Sequence, residues 1–219
     1  MLNKDTFRHQ GLRRQLVQQL RLRGIEHQEA LEAIGRVPRH LFMDNVFQEF
    51  AYTDNKAIPI DCGQTISQPY TVAYQTQLIN PVKGERILEI GTGSGYQAAV
   101  LAETGAKVFS IERHKPLFEK TRQLLEELRY LNIKPFYGDG FKGLPAFAPF
   151  DKILVTCGSP EIPNALLEQL KAGGTMVIPV GPPMTDQVMT IVLKKPDGQH
   201  EVIELDKVRF VPMLSEKTR

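Results

Sequence analysis

The stretch Ile87-Leu88-Glu89-Ile90-Gly91-Thr92-Gly93-Ser94-Gly95-Tyr96 constrains this chain more than any other. An apolar run ends in three alternating glycines, and a small-residue helical pattern (Gln97, Ala98, Ala99, Leu101, Ala102) follows at once. That order predicts a buried strand, a tight turn and a helix N-terminus. Glycine permits positive φ and lets a ligand approach the main chain with no Cβ between them. The free amides that open the helix favour negatively charged groups. The stretch therefore reads as a cofactor loop.

The spacing discriminates among cofactors. A dinucleotide loop usually places its third glycine one position later, where this chain has Tyr96. No Gly-Lys-Ser/Thr follows the glycines, so the stretch is not a nucleoside triphosphate loop either. Glu89, two residues before the first glycine, would repel a phosphate but suits an ammonium group, such as the methionyl end of S-adenosylmethionine. A second acid, Glu112, ends the next apolar run, Lys107 to Ile111. An acid at that strand end can accept hydrogen bonds from both ribose hydroxyls. Each alone reads as an ordinary strand-end acid; framing this loop, the pair favours S-adenosylmethionine. A nicotinamide oxidoreductase is disfavoured by Tyr96 and Glu89.

A chain of 219 residues, 42% hydrophobic, can bury a sizeable core as one domain over residues 1–219. Residues 1–80 read as an amino-terminal helical and pocket segment, and residues 81–219 as the α/β core. A net charge of +2 falls short of a nucleic-acid footprint. The arginines at 8, 13, 14, 21 and 23 alternate with Leu12, Leu16, Val17 and Leu20, which predicts a solvated amphipathic helix and not a targeting peptide. No apolar run reaches the length of a membrane span. Cys62 and Cys157 form no metal or disulfide pattern, and a cytoplasmic setting is expected. The five histidines have no metal-ligand spacing, so no metal is expected; His114, just after Glu112, is the one nearest the cofactor loop.

Apolar periodicity predicts helix from residue 1 to about 45, ended or kinked at Pro38. Residues 46–70 look irregular, with a short edge strand at 57–60, and helix resumes over 71–79. Strands follow at 86–90, 107–111, 134–137, 152–155 and 175–178, with helices at 95–103, 116–130 and 164–170. Two last strand-like runs, 188–194 and 202–211, flank the turn Pro196-Asp197-Gly198. Alternating elements imply a doubly wound, mainly parallel sheet with helices on both faces, closed by an antiparallel strand pair. In such a sheet, ligands bind beyond the carboxyl ends of the strands. The loops after Ile90, Ile111, Tyr137 and Val155 then surround one crevice.

Two further segments carry chemistry. Tyr137-Gly138-Asp139-Gly140 follows the third strand, where Asp139 can meet the exocyclic amine of an adenine; a plain Asp-Gly turn is the alternative. Gly63-Gln64-Thr65-Ile66-Ser67-Gln68-Pro69-Tyr70 precedes the sheet, and Thr65 or Ser67 there could simply cap the next helix. No G-x-S-x-G surrounds Ser67 to mark it as a nucleophile.

Taken together, these residues resemble the protein-L-isoaspartate (D-aspartate) O-methyltransferases, in particular their bacterial branch. The resemblance runs through Gly63 to Tyr70, Ile87 to Tyr96, Gly138 to Gly140, Pro160 to Pro163, Ile178 to Gly181 and Val208 to Pro212, in the expected order. It implies a Rossmann-like S-adenosylmethionine-dependent fold and methylation of isoaspartyl residues in damaged proteins and peptides, with S-adenosylhomocysteine as product. It also implies that the methyl ester collapses to a succinimide, whose hydrolysis returns some normal aspartyl linkage. By the same resemblance Ser67 is the active-site serine, and Thr65, Ile66 and Tyr70 belong with it in the isoaspartyl pocket. Glu89 and Gly91 would hold the methionyl amino group, Glu112 the ribose, and Asp139 with Gly140 the adenine. Thr92, Gly93, Ser94, Gly95 and Arg113 complete the cofactor set. Thr156-Cys157-Gly158-Ser159 stands where relatives often carry an alanine-rich run, so a pocket position for Cys157 or Ser159 would alter peptide preference. A monomer is expected. A methyltransferase for a small metabolite would share the glycine loop, Glu112 and Asp139 without needing Ile66-Ser67-Gln68-Pro69. A catalytically silent S-adenosylmethionine-binding protein would need neither Ser67 nor turnover.

Overall fold

The alternating β and α pattern builds a seven-stranded sheet in the computed structural model, which describes residues 5–183 and 185–218. Ahead of the sheet come α1 (Phe7–Leu22), α2 (Gln28–Arg36), β1 (Ile58–Pro59), β2 (Thr65–Ile66) and α3 (Pro69–Ile79). The sheet begins at β3 (Arg86–Ile90), followed by α4 (Tyr96–Glu103), β4 (Lys107–Glu112), α5 (Lys115–Glu127) and β5 (Ile133–Tyr137). Then come β6 (Phe150–Val155), α6 (Asn164–Gln169), β7 (Leu170–Val180), β8 (Gln187–Lys194) and β9 (His200–Val208).

The strand order is β5-β4-β3-β6-β7-β8-β9. Strands β5 to β7 in that order pair in parallel, while β8 is antiparallel to both its neighbours. The chain winds outward from β3 to β5, then crosses back to place β6 on the other side of β3. That reversal leaves a crevice at the carboxyl ends of β3, β4 and β6, where open α/β sheets take their ligands.

Strand alternation sorts side chains between two cores. Ile87, Val108, Leu154 and Val177 pack on one face against α1 to α4, with Leu125 of α5 joining them. Leu88, Ile90, Phe109, Ile111, Ile153 and Met176 pack on the other face with Phe150 and with Leu166 of α6. Glu89 is paired in register with Ser110 and shares the face of Ile87 and Val108. An acid therefore lies at 0% exposure inside the first core.

Three expectations about elements need correcting. The helix expected over residues 1–45 begins at Phe7 (residues 1–4 lie outside the described ones) and breaks after Leu22. Gly24 takes φ 91°, and the Ile25 N–H donates back to the Leu20 carbonyl at 3.1 Å. This is a Schellman-type stop that the leucine periodicity concealed. Beyond Pro38 the chain forms short 3₁₀ turns at Arg39–Phe42 and Asn45–Phe50 in place of α-helix. The irregular region also contains a second short strand, β2, which pairs antiparallel with β1. The last strand ends at Val208, not 211, because residues 210–213 leave the sheet edge for the loop after β6. There Gly158 N–H donates to the Val211 carbonyl at 2.8 Å, and Met213 N–H to the Gly158 carbonyl at 2.7 Å. Among the described residues no helix is long and apolar enough to cross a membrane.

The packing of α5 on the glycine loop yields a test. Gly95 takes φ 85°, and a Cβ there would lie 2.8 Å from Thr121 Cγ2 on α5. Gly95→Ala therefore combines a disfavoured backbone region with a clash, and should lose about 1–3 kcal/mol of stability. Urea denaturation checks this; an unchanged midpoint would mean that α5 yields freely.

Candidate active site

The crevice holds a cavity that opens to solvent, with about 810 Å³ of empty space when that open part is included. Its walls come from Gly91 to Ser94 of the glycine loop, Gln64 to Ser67 around β2, and Glu112 to His114 after β4. Tyr96, Gly140, Thr156, Cys157 and residues 211–214 also line it. Segments far apart in sequence thus meet at the carboxyl ends of three strands.

The loop's shape follows from its hydrogen bonds. Gly91 and Thr92 N–H both donate to the Ile111 carbonyl, at 2.9 and 3.0 Å, which ties the loop to the neighbouring strand. Gly91 takes φ 96°, and a Cβ there would stand 2.7 Å from Thr156 Oγ1. Thr156 in turn donates to the Gly91 carbonyl at 2.7 Å. Thr121 Oγ1 donates to the Gly93 carbonyl at 2.7 Å, pinning the loop from α5.

Glu112 is 4% exposed and lines the cavity. Its Oε2 accepts Gly93 N–H at 2.9 Å and its Oε1 accepts His114 N–H at 2.8 Å. Two backbone donors fix the carboxylate, and each oxygen keeps a lone pair for a ligand hydroxyl. Arg113 and His114 also line the cavity, and both are tied to the carboxy-terminal segment. Arg113 Nε donates to the Glu216 carbonyl at 3.0 Å, and His114 Nδ1 lies 2.8 Å from Thr218 Oγ1.

Four residues expected at the site stand outside the cavity lining. Glu89 lies beneath the loop because its strand register points it into the core. It accepts a hydrogen bond from Ser110 Oγ, whose oxygen also pairs with Thr92 Oγ1 at 2.6 Å. Its Oε1 has no partner among the described residues. Asp139 spends its carboxylate on the main chain, accepting Phe141 N–H at 3.0 Å and Glu216 N–H at 3.2 Å. Its neighbour Gly140 lines the cavity, where a Cβ would come within 2.5 Å of Ile90 Cγ2. Gly95 caps α4 and faces α5. Tyr70 stacks under the Arg23 guanidinium, 3.9 Å from its ring centroid, and against Tyr74. Cys157 does line the cavity, whereas Ser159 is wholly buried and donates to the Glu161 carbonyl at 2.6 Å. Burial, with Glu112 nearby, pushes the Cys157 thiol up to about 12, so it stays a neutral thiol.

One residue escaped sequence reasoning. Arg39 is 1% exposed, and its Nη2 donates to the Ser67 carbonyl at 2.8 Å. Its guanidinium lies over the Tyr96 ring at 4.5 Å. Nothing about an arginine after Pro38 marks it in the sequence; only the folded path of residues 39–67 brings it under the serine.

A solved protein-L-isoaspartate O-methyltransferase aligns with TM-score 0.83 and 30% identity, covering 91% of this chain and 65% of its own. A putative protein-L-isoaspartate O-methyltransferase from Plasmodium falciparum, solved with S-adenosyl-L-homocysteine, aligns with TM-score 0.80 and 25% identity over 92% of this chain and 98% of its own. The fold is thus that of the S-adenosylmethionine-dependent methyltransferases. The family model for protein-L-isoaspartate(D-aspartate) O-methyltransferase matches residues 11–218. Protein-L-isoaspartate O-methyltransferases of Christiangramia forsetii and Flavobacterium psychrophilum are each 54% identical, covering 98% of this chain and 99% of theirs. The chain belongs to the protein-L-isoaspartate(D-aspartate) O-methyltransferase family.

Buried Glu89 makes stability depend on pH. Desolvation raises its pKa from 4.5 to about 8; the Ser110 hydrogen bond opposes this, and Glu112 adds to it. The native state then keeps a proton that the unfolded chain releases above 4.5, so stability falls as pH rises from 4.5 through about 8. Glu89→Gln keeps an acceptor for Ser110 and has no charge to bury. It should gain stability over wild type by a few kcal/mol at about pH 8.5, the gap closing toward about pH 5. Urea melts across that range decide it; parallel curves would show that Glu89 carries no such penalty.

Proposed function

We infer that this protein transfers the methyl group of S-adenosylmethionine to the free α-carboxylate of L-isoaspartyl and D-aspartyl residues in damaged proteins and peptides. The observation that carries the reading is one cavity that unites the glycine loop, Glu112 and the Thr65-Ile66-Ser67 segment. A small-metabolite methyltransferase needs the first two and not the third. Membership of the family over nearly the whole chain supports the same choice.

The residues present fit the cofactor. The Glu112 carboxylate on the cavity wall suits the ribose diol, and the Cβ-free edge at Gly91 and Gly93 lets the methionyl portion approach the main chain. Glu89, beneath the loop and neutral near pH 7, in this reading supports the loop through Ser110 and Thr92, which leaves the ammonium group to the main chain at Gly91. Asp139 likewise acts indirectly, by holding the turn that presents Gly140 to the adenine. When bound, S-adenosylmethionine supplies a methyl group on a positively charged sulfur.

This chain's own contribution is mainly positioning. The acceptor carboxylate has an unperturbed pKa of roughly 4 and is ionised at neutral pH, so no general base is required. Holding two reactants in line contributes on the order of 7–11 kcal/mol. In this reading Ser67 orients the carboxylate through its hydroxyl, with Thr65 and Ile66 shaping the pocket beside it. Cys157, on the cavity wall, acts as a small apolar surface that tunes which peptides fit. The methyl ester then collapses to a succinimide as the neighbouring backbone amide nitrogen displaces methanol, which starts the repair. Residues 1–80 and 81–219 work as one domain here, since the former supplies the acceptor side and the latter the cofactor side.

Methyl transfer should label an isoaspartyl peptide and leave its aspartyl twin unlabelled; equal labelling, or none, would overturn the reading. Ser67→Ala should lower turnover by about a hundredfold, the scale of a mispositioned reactant, while S-adenosylhomocysteine affinity by calorimetry stays near wild type. A matching loss of cofactor affinity would mean that Ser67 serves the cofactor side.

A further inference from the structure

We propose that Arg39 is a positioning residue for methyl transfer: its buried guanidinium fixes the Ser67 main chain, and through it the acceptor carboxylate. The proposal rests on the isoaspartyl reading for what Ser67 holds, but the contact itself belongs to the fold. Arg39 opens the 3₁₀ turn Arg39–Phe42, at 1% exposure. On its side chain, Nη2 donates to the Ser67 carbonyl at 2.8 Å. Nε and Nη1 have no partner among the described residues. The nearest acid, Asp54, is paired with Arg23 and accepts Tyr70 N–H at 2.7 Å.

A buried cation without a contacting carboxylate is a costly arrangement, and the Tyr96 face at 4.5 Å offsets only part of it. A methionine would fill the same space at lower cost. What an arginine adds is one charge-assisted hydrogen bond and a positive charge behind Ser67. A charge-assisted bond is roughly twice as strong as a neutral one and more directional. Its acceptor is the carbonyl of Ser67, which lines the cavity beside Thr65 and Ile66. Tyr96, the ring beneath the guanidinium, is also the first residue of α4 and lines the same cavity. Arg39 thus links the acceptor segment to the end of the glycine loop without itself lining the cavity. Arginine cannot be deprotonated in proteins, so the link does not vary with pH.

The test uses the full chain with Arg39→Met, which keeps volume and removes charge and donor, and Arg39→Lys, which keeps the charge. Amide hydrogen exchange over residues 64–68 should speed up in Arg39→Met while the strands β3, β4 and β6 keep wild-type protection. In the same variant kcat for an isoaspartyl peptide should fall about tenfold or more, with the S-adenosylhomocysteine Kd within about twofold of wild type, as expected when only the acceptor side loosens. Arg39→Lys should recover part of both changes, and it decides the matter alone if the methionine variant does not fold. Unchanged exchange at 64–68, unchanged kcat, or a parallel loss of cofactor affinity would each overturn the proposal. If wild type itself fails to methylate the isoaspartyl peptide, the functional reading falls, while the exchange measurement still decides whether Arg39 holds the segment.

Discussion

The site depends on the carboxylate of Glu112 and the two amides that it accepts. Gly93 N–H comes from the loop after β3, and His114 N–H from the turn after β4. One side chain thereby locks two strand-end loops at a fixed spacing, and it does so with charge-assisted bonds in a mostly buried place, where such bonds are strongest. Around that lock the other constraints are nested. The Ile111 carbonyl takes both loop amides, Thr121 holds the Gly93 carbonyl, and Thr156 closes the far side. The glycine loop is therefore rigid before any ligand arrives, and binding there orders little main chain.

The carboxy-terminal segment extends the same logic. Residues 211–214 line the cavity because Val211 and Met213 bracket Gly158 with two backbone bonds. Asp139 then captures Glu216 N–H, and Arg113 captures two carbonyls, of Ser215 and Glu216. Residues that look like ligand contacts in the sequence thus serve as anchors for the segment that forms the wall.

How much of this was legible in the sequence follows from the range of each interaction. The parallel core could be read because strand and helix patterns are local: β3 falls on residues 86–90 as the apolar run predicts. The glycine spacing likewise marked a loop at the end of β3 that lines the cavity. Roles that depend on register were harder to read. Glu89 reads as a ligand-facing acid, yet its pairing with Ser110 turns it into the core. Tyr70 reads as part of the substrate segment, yet the start of α3 turns its ring onto Arg23. Arg39 left no local signal at all, since its partner lies 28 residues away across three 3₁₀ turns and a short ladder.

The distribution of charge suits a reaction that consumes charge. A sulfonium and a carboxylate react to give a thioether and an ester, both neutral, so the transition state carries less charge separation than the bound reactants. A full positive charge paired directly with the acceptor carboxylate would stabilise the ground state more than the transition state and slow the step, whereas a neutral hydroxyl orients it at little such cost. The cavity follows that rule at both ends. Glu89 lies under the loop, holding a proton near neutrality, and does not present full charge to the sulfonium side. Arg39 lies behind the Ser67 carbonyl, close enough to fix the acceptor segment but not lining the space where the carboxylate would sit. With Glu89 neutral beneath the loop and Arg39 behind Ser67, orientation is left as the main source of rate, consistent with a site whose conspicuous feature is the number of bonds holding its main chain still.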